Sequence, residues 1–201
     1  MLQDRGFVID EPNFRKSQVA KFVPQNLRSY RFSTYITGQT AWDDTPAYII
    51  DEWVCYVNGA KCNVEDVQTG RYQGAWTDGV SGSLELSIYA IALSMAVQEY
   101  DPQYWQDSQF RTFMIWMLHE SHEVFIIGRE MTKFKWDKQD ALLREFLTSS
   151  AAEPMRKFVL ENLDGELLDV DVEALKASQY EFYQQSPVSK EFEEHVKLML
   201  D

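Results

Sequence analysis

The chain has 201 residues, 45% of them apolar, with a formal net charge of -13 and a pI of about 4.6. This length and apolar content are enough for a sizeable core and exclude global disorder. A surface this acidic repels the phosphates of nucleic acids and of anionic membranes, so we expect neither as a partner. A metal ion or a cationic protein suits the charge better, although the charge can also serve solubility alone.

The hydropathy and cysteine patterns bear on the cellular compartment. No apolar run reaches the roughly 20 residues of a membrane-spanning helix, and the longest one, 84–97, contains Glu85 and predicts a buried helix. The first residues lack the apolar core of a signal peptide, so we expect a cytoplasmic protein, with secretion or periplasmic export left open. Six residues separate Cys55 from Cys62, which excludes a C-x-x-C motif and leaves a disulfide open.

The N-terminal part predicts little regular structure. Residues 1–13 are expected to form an irregular arm with one short extended piece, and residues 14–23 a short helix that ends before Pro24. Residues 27–37 are the best strand candidate, because they are rich in aromatic residues that favour strands. A strand without a clear partner is weak evidence for a sheet, so we expect at most one short strand or hairpin there.

Helical signals begin in the second quarter of the chain. Residues 45–59 predict a helix with Thr45 as its N-cap, Pro46 in its first turn and Gly59 at its end. The polar, glycine-containing segment 61–79 is expected to be a connector. Long connectors are either binding loops or ordinary surface excursions held by their aromatic residues.

Two long helices should form the centre of the fold. Residues 81–100 are apolar nearly all round, and residues 104–134 carry a second long apolar stripe at helical spacing. The fold class is therefore mainly α, an irregular multi-helix bundle around these two helices. We expect a main helical domain over 1–165 and an acidic helical appendage over 166–201 that packs on it, forming a single domain overall. The remaining shorter amphipathic helices are predicted at 137–149, 152–163, 170–184 and 188–200.

A cluster of ionisable residues in the second long helix is the main candidate site. His119 lies three residues before His122 and four before Glu123, so each pair can meet on one helix face and bind a single zinc or manganese ion. The spacing differs from the H-E-x-x-H motif of zinc peptidases, because Glu123 occupies the place of the second histidine. The Glu-x-x-His spacing of di-iron bundles is absent. The alternative is a solvated His/Glu face.

Three glutamates are candidate catalytic groups, namely Glu52, Glu85 and Glu120. Each lies in an apolar helical context, where burial would raise the pKa of an unpaired carboxyl. Glu85 can also be explained by the favourable dipole of a helix N-terminus. Glu52 can be explained by the same dipole or by pairing with Arg28, Arg31 or Lys61. A catalytic metal site requires these acids to point toward His119.

A binding function is favoured over an enzymatic one, because each candidate catalytic or metal-binding residue also has an ordinary structural explanation. We expect an acidic soluble helical protein that binds a cationic or protein partner, in an interaction, inhibitor or immunity-like role. One alternative is a metal-dependent hydrolase whose His/Glu site lies on the central helices. The other is an accessory fragment of a larger enzyme. The oligomeric state and the identity of any partner are not encoded in a recognisable motif.

Overall fold

The computed structural model describes residues 6–40 and 44–168. The chain divides into a unit of Met1–Asp169 and a unit of Val170–Asp201, and the second unit lies outside the described residues. The helices predicted at 170–184 and 188–200, and the appendage that they would form, therefore lie outside them too. In chain order the α-helices are α1 (Ala47–Gln68), α2 (Gly79–Tyr100), α3 (Pro102–Trp105), α4 (Ser108–Arg129), α5 (Asp137–Thr148) and α6 (Glu153–Asn162).

Helix α2 is the centre of the fold, as its all-round apolar pattern predicts. Its side chains are buried along nearly the whole length, and α1, α4, α5 and α6 all contact it. A helix with no polar face must bury every face, so it takes the middle position. Among the described residues α2 alone is long and apolar enough to cross a membrane, and 89% of its most apolar window is buried inside the protein. The core helix of a soluble protein passes the same test.

Small residues let α1 approach α2 closely. The ring of Tyr56 on α1 lies over Gly82, where a Cβ atom would come within 2.1 Å of it. One turn away, a Cβ on Gly79 would lie 3.5 Å from the backbone of Ala60. A side chain at Gly79 would thus meet only ordinary contact, whereas the absence of one at Gly82 is what lets the Tyr56 ring lie against α2.

The prediction of a strand at 27–37 is wrong, and the described residues contain no strand. The segment forms a 3-10 turn at Gln25–Leu27 and a π-helical turn at Ser33–Thr37. Its backbone hydrogen bonds are local, as in the bond from the Tyr35 amide to the Arg31 carbonyl at 2.9 Å. Because these groups are satisfied within the segment, no ladder to a second strand forms. The mainly α fold class is confirmed.

Several helix ends differ from the prediction. Helix α1 does not stop at Gly59 but continues to Gln68, because Ala60 and Val64 extend its buried face. The first part of the predicted connector, 61–68, is therefore helical, and only 69–78 joins α1 to α2 without a helix. The predicted helix 104–134 is two helices, α3 and α4. Asp107 caps the start of α4 by accepting a hydrogen bond from the Gln109 amide at 2.7 Å, and α4 ends at Arg129.

Candidate functional site

Two neighbouring open pockets lie between α1 and α4, one of about 400 Å³ and one of about 380 Å³, and Lys61 lines both. The two pockets together are called the groove. On α1 the lining residues recur at intervals of three and four, as do those on α4, so each helix presents one face to the groove. The α1 stripe is Asp51, Val54, Asn58, Lys61, Glu65 and Gln68, and the α4 stripe is Phe113, Trp116, Glu120, Glu123 and Ile127.

Aromatic rings line the first part of the groove. Phe113 and Trp116 lie with their ring centroids 6.2 Å apart, and Trp53 packs against Phe113 at 6.4 Å. The indole N–H of Trp53 donates to the hydroxyl of Ser121 at 2.7 Å. This buried bond fixes the orientation of Trp53, and Trp53 in turn supports Phe113.

Lys61 and Glu120 form an ion pair that joins α1 to α4 at the centre of the groove. Their side chains are only 13% and 10% exposed. Burial lowers the pKa of the Lys61 ammonium, and the charge of Glu123 opposes this shift. The adjoining Glu120 carboxylate favours the charged ammonium in the same way. The groove thus contains a cation that is already partnered.

The charge of the groove is otherwise negative. Among the residues that the structure describes, four acidic side chains line it and Lys61 is the one cation. Asp51 and Glu123 are exposed, whereas Glu65 also pairs with the exposed Arg71 at 3.4 Å. The groove therefore offers apolar rings beside carboxylates that face solvent.

Glu85, a predicted catalytic residue, lies away from the groove in a buried network. Its carboxylate accepts hydrogen bonds from the Arg31 guanidinium at 2.8 Å, the Arg31 amide at 3.0 Å and the Tyr89 hydroxyl at 2.6 Å. Burial and the nearby charge of Glu85 raise the pKa of Tyr89. With three donors on a carboxylate that is 0% exposed, Glu85 has a structural role.

Arg31 completes this network on its other side. Its guanidinium contacts Asp78 at 2.5 Å and lies over the rings of Tyr30 and Tyr56 at 4.3 and 4.9 Å from their centroids. Burial alone would raise the pKa of Asp78, but the hydrogen bond from Tyr30 and the charge of Arg31 lower it. Two carboxylates thus compensate one buried cation, as a buried charge requires.

Glu52 faces a different side of α1 from the groove. It is partly buried and lies near Tyr35, whose pKa is raised by burial, by the hydrogen bond with Tyr56 and by the charge of Glu52. The neighbouring Asp51 lines the groove instead. The adjacent carboxylates of Asp51 and Glu52 therefore lie on two different surfaces of α1.

The predicted metal ligands do not share one site. His119 contacts Asp164 at 2.8 Å, whereas His122 lines a separate, mostly apolar cavity and Glu123 lines the groove. Burial lowers the pKa of His122, and the charge of His119 adds to this shift. Within 6–40 and 44–168 no group of three or more His, Cys, Asp or Glu residues is placed to hold a metal ion. The metal site stays a prediction without geometric support in this part of the chain.

Of the six predicted site residues, only Glu120 and Glu123 lie in the groove. The residues of the groove that the predicted site does not include are Asp51, Lys61 and the rings on α4. The sequence pattern places Lys61 in a connector, because Gly59 resembles a helix end. The apolar spacing that continues from Val57 through Ala60 to Val64 is the signal that places Lys61 on a helix.

The described residues thus form a helical domain with a partly apolar, acidic groove between α1 and α4. Comparisons with protein-family models, with curated proteins and with solved structures found no match to this chain.

Proposed function

We propose that the protein is a binding protein that takes a basic segment of a partner protein into the groove between α1 and α4. The observation that carries this proposal is the combination of aromatic rings and solvent-facing carboxylates along one groove. An inhibitor or immunity-like role is compatible with it, since such a role requires only that the partner be held.

The two chemistries of the groove have separate effects on binding. Trp116 offers apolar ring surface above the buried Phe113, and burial of aromatic surface is a main source of affinity in protein interfaces. A cation above the face of Trp116 would gain a further attraction. Asp51 and Glu123 orient a basic partner and attract it over a distance, which mainly raises the association rate.

The charge of the whole chain supports the same partner. A net charge of -13 creates a negative field around the molecule, which steers cations and repels phosphates and other acidic proteins. Salt screens such a field. Binding driven by it must therefore weaken steeply as the salt concentration rises.

The experiment uses a fluorescent peptide in which a single Phe is flanked by lysines, and measures its affinity for the full chain by anisotropy at several salt concentrations. Glu123→Gln should weaken binding about two- to fivefold, the size of a partly exposed ion pair. Glu161→Gln is the matched control, because Glu161 is an exposed glutamate on α6, outside both parts of the groove. Equal effects of the two substitutions, or binding that ignores salt, would contradict the proposal.

Lys61→Met provides a test of opposite sign. Methionine keeps the length and the apolar stem of lysine but removes the one cation that the described residues contribute to the groove lining. The substitution also takes the partner from the nearly buried Glu120, so circular dichroism and a melting curve must first show that the variant is folded. A basic peptide should then bind the folded variant more tightly. If the partner were acidic, Lys61→Met would not raise the affinity for the basic peptide. An acidic control peptide would then bind most tightly to the unmodified chain.

A further inference from the structure

The N-terminal arm, defined here as residues 6–13, already places an aromatic side chain in the groove. Phe7 stacks on Trp116 with ring centroids 5.3 Å apart and meets the edge of Phe113 at 5.2 Å. Together with Gly6 and Ile9, Phe7 lines the first part of the groove, whereas Val8 between them is 81% exposed. The arm therefore holds to the groove through alternate side chains.

Side-chain hydrogen bonds hold the backbone of the arm. The Tyr104 hydroxyl donates to the Asp10 backbone carbonyl at 2.6 Å, and the side-chain amide of Gln109 donates to the Val8 backbone carbonyl. The Glu11 carboxylate accepts from the Ala47 amide at 3.0 Å, at the start of α1. Between residues 6 and 11 no backbone–backbone hydrogen bond joins the arm to the rest of the described chain. An attachment through single side chains can be exchanged for other contacts without unravelling a helix or a sheet.

The arm also docks against charges of its own sign. Around Tyr104, burial and then the charges of Asp107, Asp10, Glu11 and Asp101 all raise the pKa of the hydroxyl, so the surroundings of this ring are acidic on both the arm and the helices. An acidic arm therefore gains little from charge here, and it is held by the ring contacts of Phe7 and by hydrogen bonds, including the one from the Asn13 backbone amide to the Asp101 carboxylate at 3.0 Å. A basic segment would gain attraction where the arm gains little.

We propose that the arm is an internal ligand of the groove, and that the partner is a basic segment with an aromatic side chain that displaces Phe7 from Trp116 and Phe113. This inference rests on the proposed function and adds to it the anchor residue of the partner and the competitor that it must remove. The arm then reduces the apparent affinity in proportion to the time it spends docked. Partners without an aromatic side chain cannot displace Phe7 and are rejected.

The experiment compares two probes on full-length variants: a lysine-flanked Phe peptide and the same peptide with Ala in place of Phe. Phe7→Ala frees the aromatic site, and Tyr104→Phe loosens the arm while leaving the groove wall intact. Both should tighten binding of the Phe peptide, by about threefold or more if the arm is docked most of the time. Val8→Ala is the matched control, since it alters an exposed side chain of the same arm and should leave affinity unchanged. The Ala peptide should bind weakly to every variant.

Hydrogen–deuterium exchange of residues 6–13 gives a readout that does not depend on affinity. Addition of the Phe peptide to the unmodified chain should increase exchange in the arm, because the partner releases it. Decreased exchange, together with weaker binding to the Phe7→Ala variant, would show that the arm closes over the ligand and would overturn the inference while leaving the proposed function standing. If no basic peptide binds any variant, both proposals are overturned.

Discussion

The Nη1 atom of Arg31 lies 2.8 Å from the Oε2 atom of Glu85, and the two side chains are only 1% and 0% exposed. This ion pair attaches the irregular segment around Arg31, which forms no α-helix, to the central helix α2. Removal of either partner leaves the other as a buried charge with incomplete compensation, which is among the most costly single changes in a protein interior.

Arg31→Met should therefore lower the free energy of unfolding by about 3–5 kcal/mol, the range for a broken buried ion pair. Denaturant unfolding followed by circular dichroism measures the change. Arg71→Met is the control, because Arg71 is 61% exposed and its ion pairs are worth at most about 1 kcal/mol. The double change Arg31→Met with Glu85→Gln should cost less than the sum of the two single changes. Strict additivity would show that the two residues do not act as a pair.

Alanine substitutions at two helical glycines, Gly82 and Gly59, should change the stability of the fold in opposite directions. Gly82→Ala places a methyl group 2.1 Å from the ring of Tyr56 and should destabilise the fold by about 1–3 kcal/mol through overpacking. Gly59→Ala meets nothing within 4 Å and should stabilise α1 by about 0.5–1 kcal/mol, because alanine loses less backbone entropy than glycine in a helix. Melting temperatures of the two variants should shift in opposite directions. A stable Gly82→Ala variant would mean that α1 does not approach α2 as closely as the structure shows.

Substitutions at two buried serines compare a hydrogen bond between two helices with a hydrogen bond inside one helix. Ser121→Ala leaves the indole N–H of Trp53 without its acceptor and should cost about 1–3 kcal/mol. Ser94→Ala removes only a hydroxyl that donates to the Ala90 carbonyl in its own helix, at 3.0 Å, and should cost less than about 1 kcal/mol. Chemical denaturation of both variants tests the difference, and equal costs would contradict the role assigned to Ser121.

Stability should fall at mildly acid pH because of His122. Burial lowers the pKa of this histidine from its ordinary value of 6.5, so the folded state favours the neutral ring. At pH values just below 6.5 the unfolded chain binds more protons at this position than the folded one, and stability is lost as the pH falls through this window. The melting temperature should therefore drop between about pH 7.5 and 5.5, in the range where histidine titrates. His122→Gln should flatten part of that drop; an identical drop in both proteins would show that other groups cause it.

Periodicity was enough to predict the helical class and the central place of α2. An element that is apolar on every side can be satisfied only in the middle of a fold, whatever surrounds it. The helix ends were predicted less well. Gly59 is a residue that often ends helices, but the buried Ala60 and Val64 carry α1 past it, since packing outweighs a weak local preference.

The sequence by itself determined the acidic charge, the mainly α class and the existence of acids in apolar helices. Only the tertiary structure decided which group each acid meets. Glu85 meets Arg31 across 54 residues of chain, and Glu120 meets Lys61 on another helix. Helical spacing shows which residues share a face about their own axis but carries no information on the element that lies opposite that face. For that reason the sequence directed attention to a metal site, whereas the packing of α1 against α4 brought together a groove and an aromatic side chain already seated in it.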